Sequence, residues 1–228
     1  MLTDSGNDRL VVIQIDGINQ RFINLSHKPR GIDKINKTTV AVTYRFGTFI
    51  HLININTGGI SNTIYVRGGQ CGGISYSARS TLLYVVVGWT SIHVMDLSGK
   101  VMRVLSSPVV MQSIETDVDR LYYSDDYHVY CCDLQGQVIW QFTDSNIRGI
   151  RSISTDGIGN VYITSYLSQN VIVVSPGGLH SKELLTRDDG IHFPIAIHCN
   201  RSDDSLVVCN KDNGIVHLFN IERRRLRN

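Results

Sequence analysis

The 228-residue sequence predicts an all-β protein, specifically a six-bladed β-propeller, and three observations support this prediction. A unit of about forty residues recurs along the chain. Each unit contains four short apolar runs separated by turn residues, which is typical of a propeller blade. Two residue series mark the repeat: Gly17, Gly58, Gly99, Gly136 and Gly177 close apolar stretches, and Ile32, Ile74, Ile114, Ile153 and Ile197 open the units.

The fifth unit shows the four-strand content most clearly. Apolar, β-branched runs at 150–154, 161–164, 171–174 and 182–186 are predicted strands, and Gly, Asn, Asp and Pro fill the segments between them. The unit contains no run with the period of an amphipathic helix, which argues against leucine-rich and ankyrin repeats. Four antiparallel strands per unit therefore favour a propeller over other repeat folds.

The other units align with the fifth one. Their second strands are predicted at 40–43, 83–86, 121–124 and 206–209, where apolar residues run almost continuously. Such runs are expected for strands that are buried on both faces between neighbouring blades. The predicted blades span residues 1–28, 29–68, 69–106, 107–146, 147–190 and 191–222, and a basic tail follows at 223–228.

The phase of the repeat predicts incomplete first and last blades. The first 17 residues align with the second and third strands of the unit, and residues 223–228 are too basic to make a good fourth strand of the last blade. We therefore expect an inner strand to be missing from the first blade and an outer strand from the last. On this interpretation the chain is a fragment of a longer protein whose upstream residues close the ring.

Composition limits the classes of function. The formal net charge of +2 gives no reason to expect binding to DNA or to a membrane surface, and no apolar run approaches the roughly 20 residues of a membrane-spanning helix. The five cysteines are scattered and form no C-x-x-C pair. We expect free thiols, mostly buried, in a cytoplasmic protein, because a reducing compartment does not need a disulfide framework.

Two short motifs resemble the NHL repeat, a unit of six-bladed propellers. Pro29-Arg30-Gly31-Ile32 matches the opening of that repeat, and Asp4-Ser5-Gly6-Asn7-Asp8-Arg9 matches its central signature. More narrowly, the chain is similar to the C-terminal propeller of invertebrate tripartite-motif proteins. The resemblance implies that the propeller selects a protein substrate or an RNA. Any ubiquitin-ligase activity of the longer protein would belong to a RING module, which this chain lacks.

Candidate binding residues lie in the loops that share one face of a propeller blade. The acidic loop residues Asp125, Asp126 and Asp188 give that face a mixed charge, which favours a protein partner over single-stranded RNA. Trp89 is the strongest anchor candidate, although a tryptophan there could equally pack against a neighbouring blade. The predicted partner-binding residues are Arg30, Arg45, Phe46, Arg67, Trp89, Tyr127, Arg148, Tyr166 and Lys211.

An enzyme is the alternative class, because some six-bladed propellers are calcium-dependent lactonases, other hydrolases or lyases. Such sites need acidic or amide side chains that converge at the ends of the inner strands. The predicted ends, at Asp33, Ser75, Glu115, Thr155 and Asn200, form no evident set of ligands. The histidines show no metal-binding spacing. We therefore expect no catalytic residues, no metal site and no cofactor.

Overall fold

The computed structural model describes residues 1–13, 20–201, 204–212 and 214–221. These residues form β-strands joined by short turns, with a single 3₁₀ helix at Arg187–Asp189 among them. The chain divides into two compact units, Met1–Val110 and Met111–Asn228. We call them unit 1 and unit 2.

Unit 1 contains three antiparallel sheets in which consecutive strands are neighbours. The first sheet has three described strands, and the other two have four each. The strands of the first sheet are β1 (Leu2–Asp4), β2 (Arg9–Ile13) and β3 (Gln20–Asn24); those of the second are β4 (Pro29–Lys34), β5 (Thr39–Tyr44), β6 (Phe49–Asn54) and β7 (Ile60–Tyr65); those of the third are β8 (Cys71–Ser77), β9 (Leu82–Val87), β10 (Ser91–Met95) and β11 (Val101–Ser106).

Unit 2 has the same design, with two sheets of four strands followed by a sheet of three described strands. The 3₁₀ helix lies between the second and third of these sheets. The strands are β12 (Ser113–Thr116), β13 (Arg120–Ser124), β14 (Val129–Asp133) and β15 (Val138–Phe142); β16 (Ile150–Thr155), β17 (Val161–Ser165), β18 (Asn170–Val174) and β19 (Ser181–Leu185); and β20 (Pro194–Asn200), β21 (Ser205–Asn210) and β22 (Val216–Asn220).

The six antiparallel sheets are the blades of a six-bladed β-propeller, so the predicted fold class is confirmed. The predicted second strands agree with β5, β9, β13, β17 and β21 to within about one residue at each end. Inner strands extend beyond the predicted ends at Asp33, Ser75 and Glu115, reaching Lys34, Ser77 and Thr116. Gly17 and the predicted basic tail at 223–228 lie outside the described residues.

The cores lie between neighbouring sheets of the same unit. In unit 1, β4 and β5 both pack against β8, and the buried cluster includes Ala41, Ile50 and Val85. In unit 2, β16 packs against β12 and β20, and all residues of β17 are buried. Burial on both faces explains the continuous apolar runs of the central strands, since neither side of these strands meets water.

The glycine series is explained by the turn between the third and fourth strands of a blade. Gly99 has a φ of 91°, in the left-handed region, and a Cβ added there would lie 2.7 Å from Ile64 Cγ2 of the preceding sheet. Gly178 has a φ of 72°, and a Cβ there would lie 2.7 Å from Trp140 Cδ2. In the fifth blade the left-handed residue is therefore Gly178 and not Gly177, the position that the repeat spacing selects. Only glycine satisfies both constraints.

Hydroxyl side chains link strands of neighbouring blades within each unit. The Ser113 Oγ accepts a hydrogen bond from the backbone N–H of Ile153 at 3.2 Å, and the Ser154 Oγ accepts one from Cys199 N–H at 3.0 Å. In unit 1, the Thr43 hydroxyl donates to the Gly72 carbonyl at 2.7 Å. These contacts satisfy backbone groups that packing would otherwise leave without partners, and they hold each blade in register with the next one in its unit.

Candidate recognition surfaces of the two units

Backbone hydrogen bonds bring three loops of unit 1 into one surface. The Thr48 carbonyl, between β5 and β6, accepts from Val66 N–H at 2.7 Å, and the Gln70 carbonyl accepts from Gly88 N–H at 3.0 Å. The segment between β7 and β8 is therefore joined to the β5–β6 loop on one side and to the β9–β10 loop on the other. We call the side chains presented by these loops and by the start of β4 the arginine–aromatic surface: Arg30, Arg45, Phe46, Arg67 and Trp89.

Trp89 packs against a neighbouring blade. Its backbone is left-handed, with a φ of 71°, and the guanidinium carbon of Arg30 lies 4.3 Å from the centroid of its ring. A Cβ added at Gly72 would lie 3.4 Å from Trp89 Cζ3, so the ring also lies close to the backbone of β8. Of the two readings that the sequence leaves open for Trp89, the structure shows the packed one, with the ring half-buried.

Phe46 is an exposed aromatic residue of the same surface. It has a φ of 64°, and 69% of its surface is accessible. The guanidinium carbon of Arg45 lies 5.2 Å from its ring centroid. A phenylalanine with a left-handed backbone is unusual, because this conformation strains the backbone of a bulky residue. The surrounding loop must compensate for that strain. Such outliers are concentrated at binding sites.

The arginines of this surface lack acidic partners in the described part of the chain. Neither a hydrogen bond nor an ion pair involves the Arg30, Arg45 or Arg67 guanidinium there. The sequence has no Asp or Glu between Asp33 and Asp96. Burial, and in second place the charge of Arg45, lowers the pKa of Arg30 from its ordinary value. Residues 1–110 contain 11 Lys and Arg against 5 Asp and Glu, a formal net charge of +6.

In unit 2 the predicted residues Tyr166 and Lys211 are in contact. Lys211 Nζ lies 3.3 Å from the Tyr166 hydroxyl and 5.3 Å from its ring centroid. The rings of Tyr166 and Phe193 are 5.1 Å apart, centroid to centroid. Arg151 lies 5.4 Å from the Tyr166 ring and forms an ion pair with Asp126 at 2.8 Å. The sequence prediction missed Arg151, because that residue lies within an apolar strand run.

Tyr127 is presented by a turn that Asp125 organises. Asp125 Oδ1 accepts hydrogen bonds from the backbone N–H groups of Tyr127 and His128, both at 2.7 Å, and the Tyr130 hydroxyl donates to Oδ2 at 3.1 Å. Burial acts to raise the pKa of Asp125, but the backbone hydrogen bonds from Tyr127 and His128 and the interaction with the His128 ring outweigh it, and the net shift is downward. The fixed turn leaves Tyr127 56% exposed.

Arg148 is held through its backbone. Its N–H donates to Ser165 Oγ at 2.8 Å, and the Ser165 hydroxyl donates back to its carbonyl at 3.0 Å. Within the described residues the exposed Arg148 side chain forms neither a hydrogen bond nor an ion pair. The structure therefore orders the backbone of this loop and leaves the guanidinium available to a partner.

The charge of unit 2 is opposite to that of unit 1. Residues 111–228 contain 15 Asp and Glu against 11 Lys and Arg, a formal net charge of −4. Near the ends of the inner strands, Arg201 lies 3.1 Å from Asp117 and 3.9 Å from Glu115, so both carboxylates have a cationic neighbour. Among the described residues, no group of three or more His, Cys, Asp and Glu side chains has the arrangement of a metal site.

Comparisons with known proteins give a structural match over nearly the whole chain and a sequence match to a ubiquitin ligase over a short stretch. No family model matches the sequence. A stretch of 95 residues, 41% of this chain, is 28% identical to the mouse E3 ubiquitin-protein ligase TRIM56, and the match spans 13% of that protein. A chain in the crystal structure of a nidogen/laminin complex matches 96% of this chain and 87% of its own length, with a TM-score of 0.80 and 14% identity. At that identity the match shows the fold alone.

The structure also bears on the cysteines and on membrane association. All five thiols are free; Cys71, Cys131, Cys132 and Cys199 are buried, as expected, whereas Cys209 is half-buried. In the described part of the chain, no helix has the length and hydropathy to cross a membrane.

Proposed function

We propose that the chain is a non-catalytic recognition scaffold that binds a protein partner through its loops, with the arginine–aromatic surface of unit 1 as the main contact. The observation that carries the proposal is Phe46, which is 69% exposed in a left-handed conformation beside Arg45. Arginine and large aromatic side chains are enriched among the residues that dominate binding energy at protein interfaces. The ion pairs of Glu115 and Asp117 with Arg201 support a non-catalytic role, because they engage carboxylates that a calcium site would use.

We further propose that the chain forms the substrate-recognition end of a longer cytoplasmic protein related to tripartite-motif ubiquitin ligases. The partial match to TRIM56 and the Pro29-Arg30-Gly31-Ile32 motif support this relation. Free thiols, which a reducing compartment preserves, support the location. Single-stranded RNA is the second candidate ligand, because arginines and aromatic rings also bind bases and phosphates.

The test is affinity capture from a cell extract, followed by quantitative mass spectrometry, with nuclease-treated and untreated samples. We expect Phe46→Ala and Trp89→Ala to lose the same protein partner. Arg148→Ala tests separately whether the loops of unit 2 bind a partner. Ile60→Ala is the matched control, because Ile60 is 51% exposed at the end of the outer strand β7 opposite the segment between β7 and β8. A set of captured proteins that does not change in any of the loop variants would refute the proposal. Loss of every partner after nuclease treatment would favour RNA.

A further inference from the structure

The guanidinium groups of the arginine–aromatic surface form a positive site without an internal counter-charge. Arg30 is half-buried beside Arg45, and their mutual repulsion is not offset by a carboxylate in the described residues. The segment from Lys34 to Met95 contributes no acidic side chain at all. Two cations held close together at a partly desolvated surface are stabilised when an anion binds, since each gains a charge-assisted hydrogen bond.

Each of these two guanidinium groups lies close to an aromatic ring of the surface. Arg30 lies over the Trp89 ring, and Gly72 of β8 lies close to the edge of the same ring. Arg45 lies near the Phe46 ring. A guanidinium that stacks on a ring keeps its N–H groups free to donate in its own plane, the geometry that matches a carboxylate. Single-stranded RNA, by contrast, needs open ring faces on which bases stack, and the Trp89 face is occupied.

We propose that the arginine–aromatic surface binds an acidic segment of the partner protein, in which Asp or Glu carboxylates pair with Arg30 and Arg45 and an apolar side chain packs on Phe46. This inference rests on the proposed function and specifies the chemistry of its partner. The positive charge of unit 1 would speed the encounter with such a segment. Arg67, in the segment between β7 and β8, adds a third cation to the same surface.

In the experiment, peptides from a random display library are selected for binding to the immobilised chain. The double variant Arg30→Gln/Arg45→Gln serves for counter-selection. The matched control is Lys34→Gln/Lys37→Gln, which removes the same charge from unit 1. Arg45 directly follows β5, and Lys37 precedes β5. The length of this strand, about 20 Å, therefore separates Arg45 from Lys37. Circular dichroism confirms that all variants are folded. Enriched peptides and an oligouridine are then titrated by fluorescence anisotropy.

We expect the selected peptides to be enriched in Asp and Glu over the starting library. We expect the arginine double variant to bind them at least about tenfold more weakly, and the lysine control to bind within about twofold of the parent chain. Selected peptides without acidic enrichment, or equal losses in both double variants, would overturn the inference. If the selected peptides still bind Arg30→Gln/Arg45→Gln but do not bind Phe46→Ala, the proposed function stands and only the acidic chemistry of the partner is refuted. Tight oligouridine binding without peptide binding would overturn both in favour of RNA.

Discussion

Burial changes the proton affinity of thiol and phenol groups along the chain. Burial raises the pKa of the Cys71 thiol from 9.0 to about 12, and the pKa of the Tyr44 phenol from 10.0 to about 12. Burial is also the main cause that raises the pKa of Cys131 to about 12. In each case the charged form is disfavoured inside the protein, because it would lose its hydration. The native state therefore keeps these protons at a pH where the unfolded chain releases them.

This difference predicts loss of stability in alkali. An acid whose pKa is higher in the folded state contributes fully below the pKa of the unfolded chain, so the free energy of unfolding should fall as the pH rises from about 9 towards about 12. Urea denaturation at a series of pH values measures the slope. Tyr44→Phe should reduce the slope, and Tyr65→Phe, which changes a phenol that is 78% exposed, is the matched control. Stability that is constant or rising over this range would contradict the prediction.

The contacts of single residues show where sequence reasoning stops. The sequence predicts that Arg30, Trp89, Tyr166 and Lys211 lie in loops. This is wrong for Arg30, which lies in β4, because the pairing of Pro29 with Tyr44 extends that strand to the start of the blade. The sequence does not show that Arg30 stacks on Trp89, since that contact joins two blades and depends on their packing. Arg151 was missed for a related reason: its contact with Tyr166 arises from the register of β16 within the sheet.

At the scale of the strand and turn, the repeated glycine links sequence to packing. The turn between β18 and β19 places Gly178 against the Trp140 ring of the preceding blade, and the Trp140 Nε1–H donates to the Pro176 carbonyl at 2.9 Å. The turn therefore joins two blades as well as two strands. The sequence spacing locates this turn to within one residue, but it selects Gly177, because spacing alone carries no information on φ.

We predict that Gly178→Ala lowers the free energy of unfolding by about 2–4 kcal/mol. The left-handed φ of 72° contributes about 1–2 kcal/mol, and displacement of the Trp140 ring contributes the remainder. Gly177→Ala is the control in the same turn: an added Cβ there would lie 4.0 Å from Leu179 Cγ, an ordinary contact. It should cost less than about 1 kcal/mol. Equal losses for the two variants in urea denaturation would show that the Trp140 contact is not the cause.

At the scale of the whole molecule, the small net charge conceals two units of opposite sign. The overall +2 is the sum of +6 in residues 1–110 and −4 in residues 111–228. The sequence prediction of a mixed-charge loop face treated all blades together, and it took the acidic loops as an argument against nucleic acid. The division into units shows that those acids belong mainly to unit 2. Arg30, Arg45 and Arg67, which have no acidic partner among the described residues, belong to unit 1. A partner can therefore use complementary charge on one unit alone.

The repeated blade also predicts a gradient of local stability within every sheet. Central strands are paired on both sides and buried on both faces, as in β9, whereas outer strands such as β11 have one unpaired edge and several exposed side chains. Local opening needs less free energy where fewer buried contacts are lost. The difference follows from the position of a strand in its blade, and it should recur between β17 and β19.

Amide hydrogen exchange followed by mass spectrometry measures this gradient. We expect peptides from β9 to exchange more than about tenfold more slowly than peptides from β11, although both strands have six residues. The β17 and β19 pair, with five residues each, tests the same order in unit 2. Comparable protection of central and outer strands would mean that each blade opens as a single cooperative block. An outer strand that becomes protected only when a partner is added would instead locate binding at the blade edges and not at the loops.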